Sequence, residues 1–190
     1  MKTLKKFLEK HSACEDGYDF AKDLTLEQFL NTCERGEWIL WLFARMNPNS
    51  LKELTLAKGH CANTVRHLMK DQRSIDAVEA AIAFGEGKIS REELDKAKKA
   101  ADAAADAADA DVAADAASAA SAAVYAASAA ASAAVYAAWA AAASGSGAGG
   151  GGAGGANACY TTAKRTNQKL TADICRKYLP LEIWDITQLN

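Results

Sequence analysis

The sequence predicts an all-α fold: a helical bundle with closely packed Ala-rich helices and a Gly-rich loop before the last helix. Three observations carry this. Helix-start signatures recur, with Thr25 and Gln28, Ser50 and Glu53, and Ser90 and Glu93 spaced as capping boxes. In that device the hydroxyl accepts a bond from a free backbone N–H, and the acid or amide three residues on bonds back. No stretch alternates apolar and polar residues as a half-buried strand does. Residues 90–144 form an alanine-rich tract, and alanine is the strongest helix former.

Element by element, the pattern gives helices at roughly 2–10, 13–22, 26–33, 37–46, 51–69 and 74–84. The apolar run Trp38–Phe43 fits a buried strand or a buried helix. It lies between helices and has no second strand to pair with, so it is assigned to a helix. Asn47, Pro48 and Asn49 mark a turn, and Gly85 and Gly87 mark a helix stop. A helix follows from Asn157 to Tyr178, and Pro180 ends it. Beyond it, Leu181, Ile183, Trp184, Ile186 and Leu189 form an apolar tail expected to dock on the main core.

An unbroken helix from Arg91 to Ala143 would be about 80 Å long, against a radius of gyration of only ~16 Å for a compact chain of this size. Asp102, Asp106 and Asp109 share one face, and Asp111, Asp115, Ser118 and Ser121 a face rotated by roughly 160°. A break near Asp109–Asp111 removes that conflict. After it, AAVYAASAAAS (122–132) and AAVYAAWAAAA (133–143) form an eleven-residue repeat, about three turns long. Tyr125 and Tyr136 fall on its Ser/Tyr stripe, opposite an Ala/Val face suited to close helix approach. Three units result: a helical domain at 1–144, a flexible Gly-rich loop at 145–155, and a C-terminal helix with its tail at 156–190, docking on the same domain.

Half the residues count as hydrophobic, but alanine supplies much of that share. A buried methyl contributes far less than a Leu side chain, at about 0.8 kcal/mol per carbon. The core must therefore come mainly from the first half, where most of the Trp, Phe and Leu residues lie.

Composition also bounds function. The 22 basic and 24 acidic residues give a net charge of −2, which provides no footprint for nucleic acid or for an anionic membrane. The five cysteines are odd in number and contain no CxxC, so reduced thiols and a cytoplasmic setting are expected. The amphipathic start lacks a signal peptide's apolar run. Ser and Asp interrupt the alanine tract, which argues against a transmembrane helix.

Chemical motifs are sparse. His11 with Cys14, and His60 with Cys61, are the metal-like pairings, but a zinc site wants four ligands, and buried thiols with surface histidines are the simpler reading. Cys61 neighbours His60 and His67, yet no oxyanion loop or orienting acid accompanies them. Phosphate loops, dinucleotide fingerprints and paired carboxylates are absent from the sequence. No enzymatic activity, cofactor or metal is expected. An ice-binding reading of the alanine tract fails for want of a threonine array.

Trp38, Trp41, Phe43 and Arg45 form a dense group. It reads as core packing with Arg45 reaching to solvent, or as an aromatic and Arg anchor for a protein partner. Arg66, His67, Asp71 and Arg73 follow the 51–69 helix. There cations complement a helix C-terminus, or with Glu79 they line a polar cleft. The candidate partner-binding residues are Trp38, Trp41, Arg45, Arg66, His67, Asp71, Arg73, Tyr125 and Tyr136.

The segments KKFLEKHSACEDGYDFA, GEWILWLFAR and LAKGHCANTVRHLMKDQRSIDAVEAAIAFGEGKIS, followed by a long run of alanines, resemble immunity proteins of the Imm5-like family. These accompany bacterial polymorphic toxins and occur in phage and prophage genomes. The resemblance covers roughly residues 1–140 and the closing helix. Its most specific part runs from Arg66 to Gly87, where D-x-R-x-x-x-A-x-E-A-A leads towards the alanines. The glycine segment departs from the pattern. The resemblance implies an all-α bundle that binds and neutralises a toxin protein. The alternative is a phage or prophage accessory protein that self-associates through its Ala/Tyr face.

Overall fold

The computed structural model describes residues 2–69, 71–107 and 153–189. Among these the fold is all-α, with no strand. In order come α1 (Lys5–Lys10), α2 (Glu15–Ala21), α3 (Leu26–Thr32), α4 (Gly36–Met46), α5 (Leu51–Asn63), a 3-10 turn at Arg66–Leu68, α6 (Gln72–Gly85), α7 (Arg91–Ala107) and α8 (Ala153–Tyr178). Short 3-10 turns at Leu181–Ile183 and Ile186–Leu189 close the chain. The break near Asp109–Asp111, the eleven-residue repeat, Tyr125 and Tyr136 lie outside the described residues, as does most of the Gly-rich segment.

Two of the three expected capping boxes form. Thr25 accepts from Gln28 N while Gln28 Oε1 accepts from Thr25 N, and Ser90 and Glu93 bond reciprocally in the same way. The third fails. Ser50 has no side-chain cap bond, and its backbone sits at φ −93°, ψ 52°, away from the extended geometry a capping residue adopts. The turn through Pro48 sets that geometry, since Ser50 N donates instead to Asn47 O. The helix stop is as expected: Gly87 takes φ +75°, Gly87 N donates to Phe84 O and Lys88 N to Ala83 O. This is a Schellman motif, which favours glycine because a Cβ is disfavoured at that φ.

Two expected boundaries are corrected. The helix from residue 51 ends at Asn63, not 69. There Thr64 Oγ1 donates to Cys61 O at 2.7 Å, and the chain turns. The C-terminal helix begins at Ala153, inside the segment expected to be loop. Helix nucleation is costly and propagation is cheap. Two glycines at about 1 kcal/mol each are tolerated at the end of a 26-residue helix.

The core has two parts. The larger gathers Phe7, Leu8, Phe29, Ile39, Leu42, Phe43 and Met46 with Cys175, Leu179 and Trp184. The smaller unites Val65, Met69, Val78, Ala81, Phe84 and Leu94 where α5, α6 and α7 pack together. Helix α8 lies on α4 and α5. It presents Thr171, Ala172, Cys175 and Leu179 inward, spaced i, i+1, i+4 and i+8 on one helical face. The approach to α4 is close. A Cβ at Gly36 would stand 2.6 Å from Thr171 Oγ1 and 2.7 Å from the Thr171 carbonyl carbon.

The tail docks, but through fewer residues than expected. Trp184 is buried with its ring edge-on to Phe43 at 5.0 Å, and its Nε1 donates to Leu179 O at 3.0 Å. Asn47 Nδ2 donates to Ile183 O at 2.7 Å. Leu181 and Ile186 remain exposed. Arg176, unremarked in the sequence, holds α8 to α3 by donating to Leu30 O and Cys33 O, carbonyls at the α3 C-terminus.

Candidate functional site

The α4 helix divides its residues by face. Ile39, Leu42, Phe43 and Met46 are buried, while Trp38, Trp41 and Arg45, spaced i, i+3 and i+7, share a neighbouring face that is only partly covered. That face forms one wall of a cleft of about 340 Å3. Leu8 of α1, Gly17 and Ala21 of α2, and Phe29 of α3 line it opposite, and Lys58 enters from α5.

Both indoles carry guanidinium groups. Arg35 lies 4.0 Å over the Trp38 ring and Arg45 lies 4.0 Å over the Trp41 ring. Arg45 also donates to Trp41 O, at 3.4 Å. Phe20, exposed, extends the aromatic surface to Trp38 at 5.5 Å. The core-packing reading therefore holds in part. Phe43 is core, whereas Trp38 and Trp41 are half-covered walls and Arg45 reaches to solvent.

Glu37, Lys58 and Cys14 also line the cleft. Sequence reasoning missed Glu37 and Lys58 as site residues. Glu37 Oε1 accepts from Arg35 Nε at 2.7 Å and from Gln168 Nε2 at 3.0 Å, while Oε2 is buried without a hydrogen-bond partner among the described residues. Burial pulls the Lys58 ammonium below its usual pKa. Its flanking small residues, Ala57 and Gly59, are both buried. They mark α5 as tightly packed there and were the available signal for a lysine held inside.

The second predicted cluster does not join this cleft. Arg66 and His67 sit on the 3-10 turn, so they do not complement the end of α5. Arg66 pairs with Glu79 at an exposed position. Asp71 caps α6 by accepting from Arg73 N at 2.8 Å, and it pairs with the Arg73 guanidinium at 2.7 Å. That pairing holds the Asp71 carboxyl below its usual range. Arg66, Asp71 and Arg73 are thus engaged with neighbours, and none of them lines the Trp-walled cleft.

The metal-like and nucleophile-like residues separate as well. Among the described residues no group of His, Cys, Asp or Glu is arranged to hold a metal ion. His11 packs on Phe7 at 4.3 Å, and burial, then the charges of Lys10 and Arg45, lower its pKa. His60 stacks flat on Tyr178 at 4.1 Å. Cys61, next to it in sequence, turns inward to face Cys175 at 3.9 Å and Thr171 O at 3.7 Å. Burial pushes the Cys33 thiol up to about 11, and the Cys61 contact together with burial raises Cys175 well above its usual value. Such sealed thiols are poor nucleophiles.

Comparison with family models, curated proteins and solved structures gave no match to this chain. Among the described residues, no helix is long and apolar enough to cross a membrane.

Proposed function

We propose that this chain is a non-enzymatic, cytoplasmic protein-binding protein of the immunity type, which neutralises a toxin by occupying it. The observation that supports this reading is the α4 face, where two tryptophans, each stacked with an arginine, stand half-covered beside an apolar cleft. Trp and Arg dominate the energetically decisive positions of protein interfaces, because each combines large apolar area with hydrogen-bonding capacity. Here the stacking fixes the side chains before a partner arrives, which lowers the entropy cost of binding. The thiols of Cys33 and Cys175, buried and raised in pKa, are poor nucleophiles, which favours recognition over turnover at those positions.

The test is affinity capture from the native host, with mass spectrometry of what copurifies. A stoichiometric partner protein whose toxicity the chain suppresses is the expected result. Arg45→Glu with Trp41→Ala should abolish capture while the fold persists. Recovery only of further copies of the chain would overturn the immunity reading in favour of the self-assembly alternative. Turnover of a small molecule by the purified protein would overturn it outright.

A further inference from the structure

We propose that the cleft walled by Trp38 and Trp41 is a binding site for a small, flat, uncharged apolar molecule. This goes beyond the protein-binding reading and does not depend on it. The floor, the walls and the charges each contribute.

Leu8, Ala21, Phe29, Leu40 and Leu42 line the cleft, and each of them is also a buried core residue. The cleft therefore reaches into the larger core and is not a dimple on the surface. Its volume of about 340 Å3 lies at the lower end of the roughly 300–1,000 Å3 typical of small-molecule sites. It accommodates a ring system with a short arm, not a helix. Cavities lined by aliphatic and aromatic side chains take up uncharged rings such as benzene.

Protein interiors are close-packed, yet here the walls are held back from closing over the floor. Arg35 lies 4.0 Å over the Trp38 ring and is fixed in turn by Glu37 at 2.7 Å. Arg45 lies 4.0 Å over the Trp41 ring and donates to Trp41 O.

The same contacts select against ions of either sign. Each guanidinium is stacked on an indole, and Lys58 has an interaction of its own. Glu37 Oε1 accepts from both Arg35 and Gln168, and Oε2 is buried. An entering carboxylate would meet the charge of Glu37, and an ammonium those of Arg45 and Lys58. Either ion would shed its hydration against an apolar floor without gaining an unpaired counter-ion among the described lining residues. An uncharged ring sheds no such hydration and gains from burying its apolar surface.

The experiment is isothermal titration calorimetry of the full chain with three probes of one shape: 2-(1-naphthyl)ethanol, 1-naphthylacetate and 2-(1-naphthyl)ethylamine. The alcohol should bind at one site, about tenfold tighter than either ion. Cys14 is exposed and lines the cleft, so its alkylation reports occupancy. With the alcohol at about ten times its Kd, labelling of Cys14 by iodoacetamide should slow about tenfold by mass action. Ala44 stands partly buried on the same wall. Ala44→Leu should fill the cleft and weaken the alcohol about tenfold with the helical circular dichroism unchanged. Protection of Cys14 in the wild-type chain keeps the test decisive if Ala44→Leu disturbs the packing. The proposal is overturned if the acid or the amine binds as tightly as the alcohol, if no probe binds at millimolar concentration, or if the alcohol binds without protecting Cys14.

Discussion

Gly36→Ala tests the placement of α8, because the same substitution has opposite consequences at two glycines. At Gly36 an added Cβ would meet Thr171 Oγ1 at 2.6 Å and the Thr171 carbonyl carbon and Cβ at 2.7 Å. Rotating the Thr171 side chain clears only the first of these. The carbonyl carbon belongs to the α8 backbone, so the helix itself must shift. Overpacking of this kind costs about 1–3 kcal/mol. Against it stands a gain of about 0.4–1 kcal/mol from restricting the unfolded chain. The steric effect wins, and a net loss of about 1–2 kcal/mol is expected, equivalent to roughly 2–8 °C in Tm for a chain of this length.

Gly17→Ala supplies the contrast. There the added Cβ would meet Cys14 Sγ at 3.1 Å and the Trp38 ring at 3.7 Å. Cys14 is exposed and its side chain has room to give, so the gain in helix propensity, about 1 kcal/mol, should prevail within α2. Thermal unfolding followed by far-ultraviolet circular dichroism reads both variants. If Gly36→Ala melts at or above the wild-type temperature, α8 does not cross α4 at Thr171, and the reasoning fails.

Trp184→Ala should lose about 3–5 kcal/mol, the cost of deleting a buried aromatic, because it removes the edge contact to Phe43 and the bond to Leu179 O; a Tm unchanged from wild type would show the tail undocked. In native protein at about pH 8, a thiol pushed to about 11 is roughly 0.1% thiolate, so peptide mapping after brief alkylation should find Cys14 labelled and Cys33 and Cys175 unlabelled until denaturant is added. Equal rates at Cys14 and Cys33 would contradict the burial described. The histidines give a pH dependence of definite sign. Burial and nearby cations lower the His11 and His60 pKa values from 6.5 in the folded state. The unfolded chain therefore takes up protons first, so stability present above about pH 6.5 should be lost as pH falls through the folded values. Melting curves between about pH 7.5 and 5.5 should show this loss, and His60→Gln with His11→Gln should flatten it.

How legible each feature was depended on whether its cause is local. The capping boxes at Thr25 and Ser90 and the stop at Gly87 depend on residues a turn apart, and they form as the sequence predicts. The run from Trp38 to Phe43 reads as helix only from its context, and its burial follows helical spacing. Ser50 failed because capping competes with the neighbouring turn, and propensity alone does not rank the two. The contacts of Asn47 with Ile183 and of Arg176 with Leu30 span 136 and 146 residues, and no local pattern encodes them. Half of the candidate site was legible for the same reason. Trp38, Trp41 and Arg45 stand on one helix at regular spacing, whereas Lys58 joins them only through the packing of α5 against α4.

This division between local and distant causes bears on what the cleft does. Its Trp wall belongs to α4, but α4 is not held by its sequence neighbours alone. Gln168 Nε2 of α8 donates to Glu37 Oε1 at 3.0 Å, and Cys175 Sγ donates to Gly36 O at 3.6 Å. Gln168 and Arg35 therefore share one oxygen of Glu37, and the other is buried without a hydrogen-bond partner among the described residues. Residues far downstream thus hold the first turn of α4, and with it the start of the Trp wall. A ligand that grips this wall stabilises the folded chain by mass action. The α4–α8 bonds at Gly36 and Glu37 and the Trp38 side chain all belong to the start of one helix, so an occupant of the cleft and a seated α8 act on the same element.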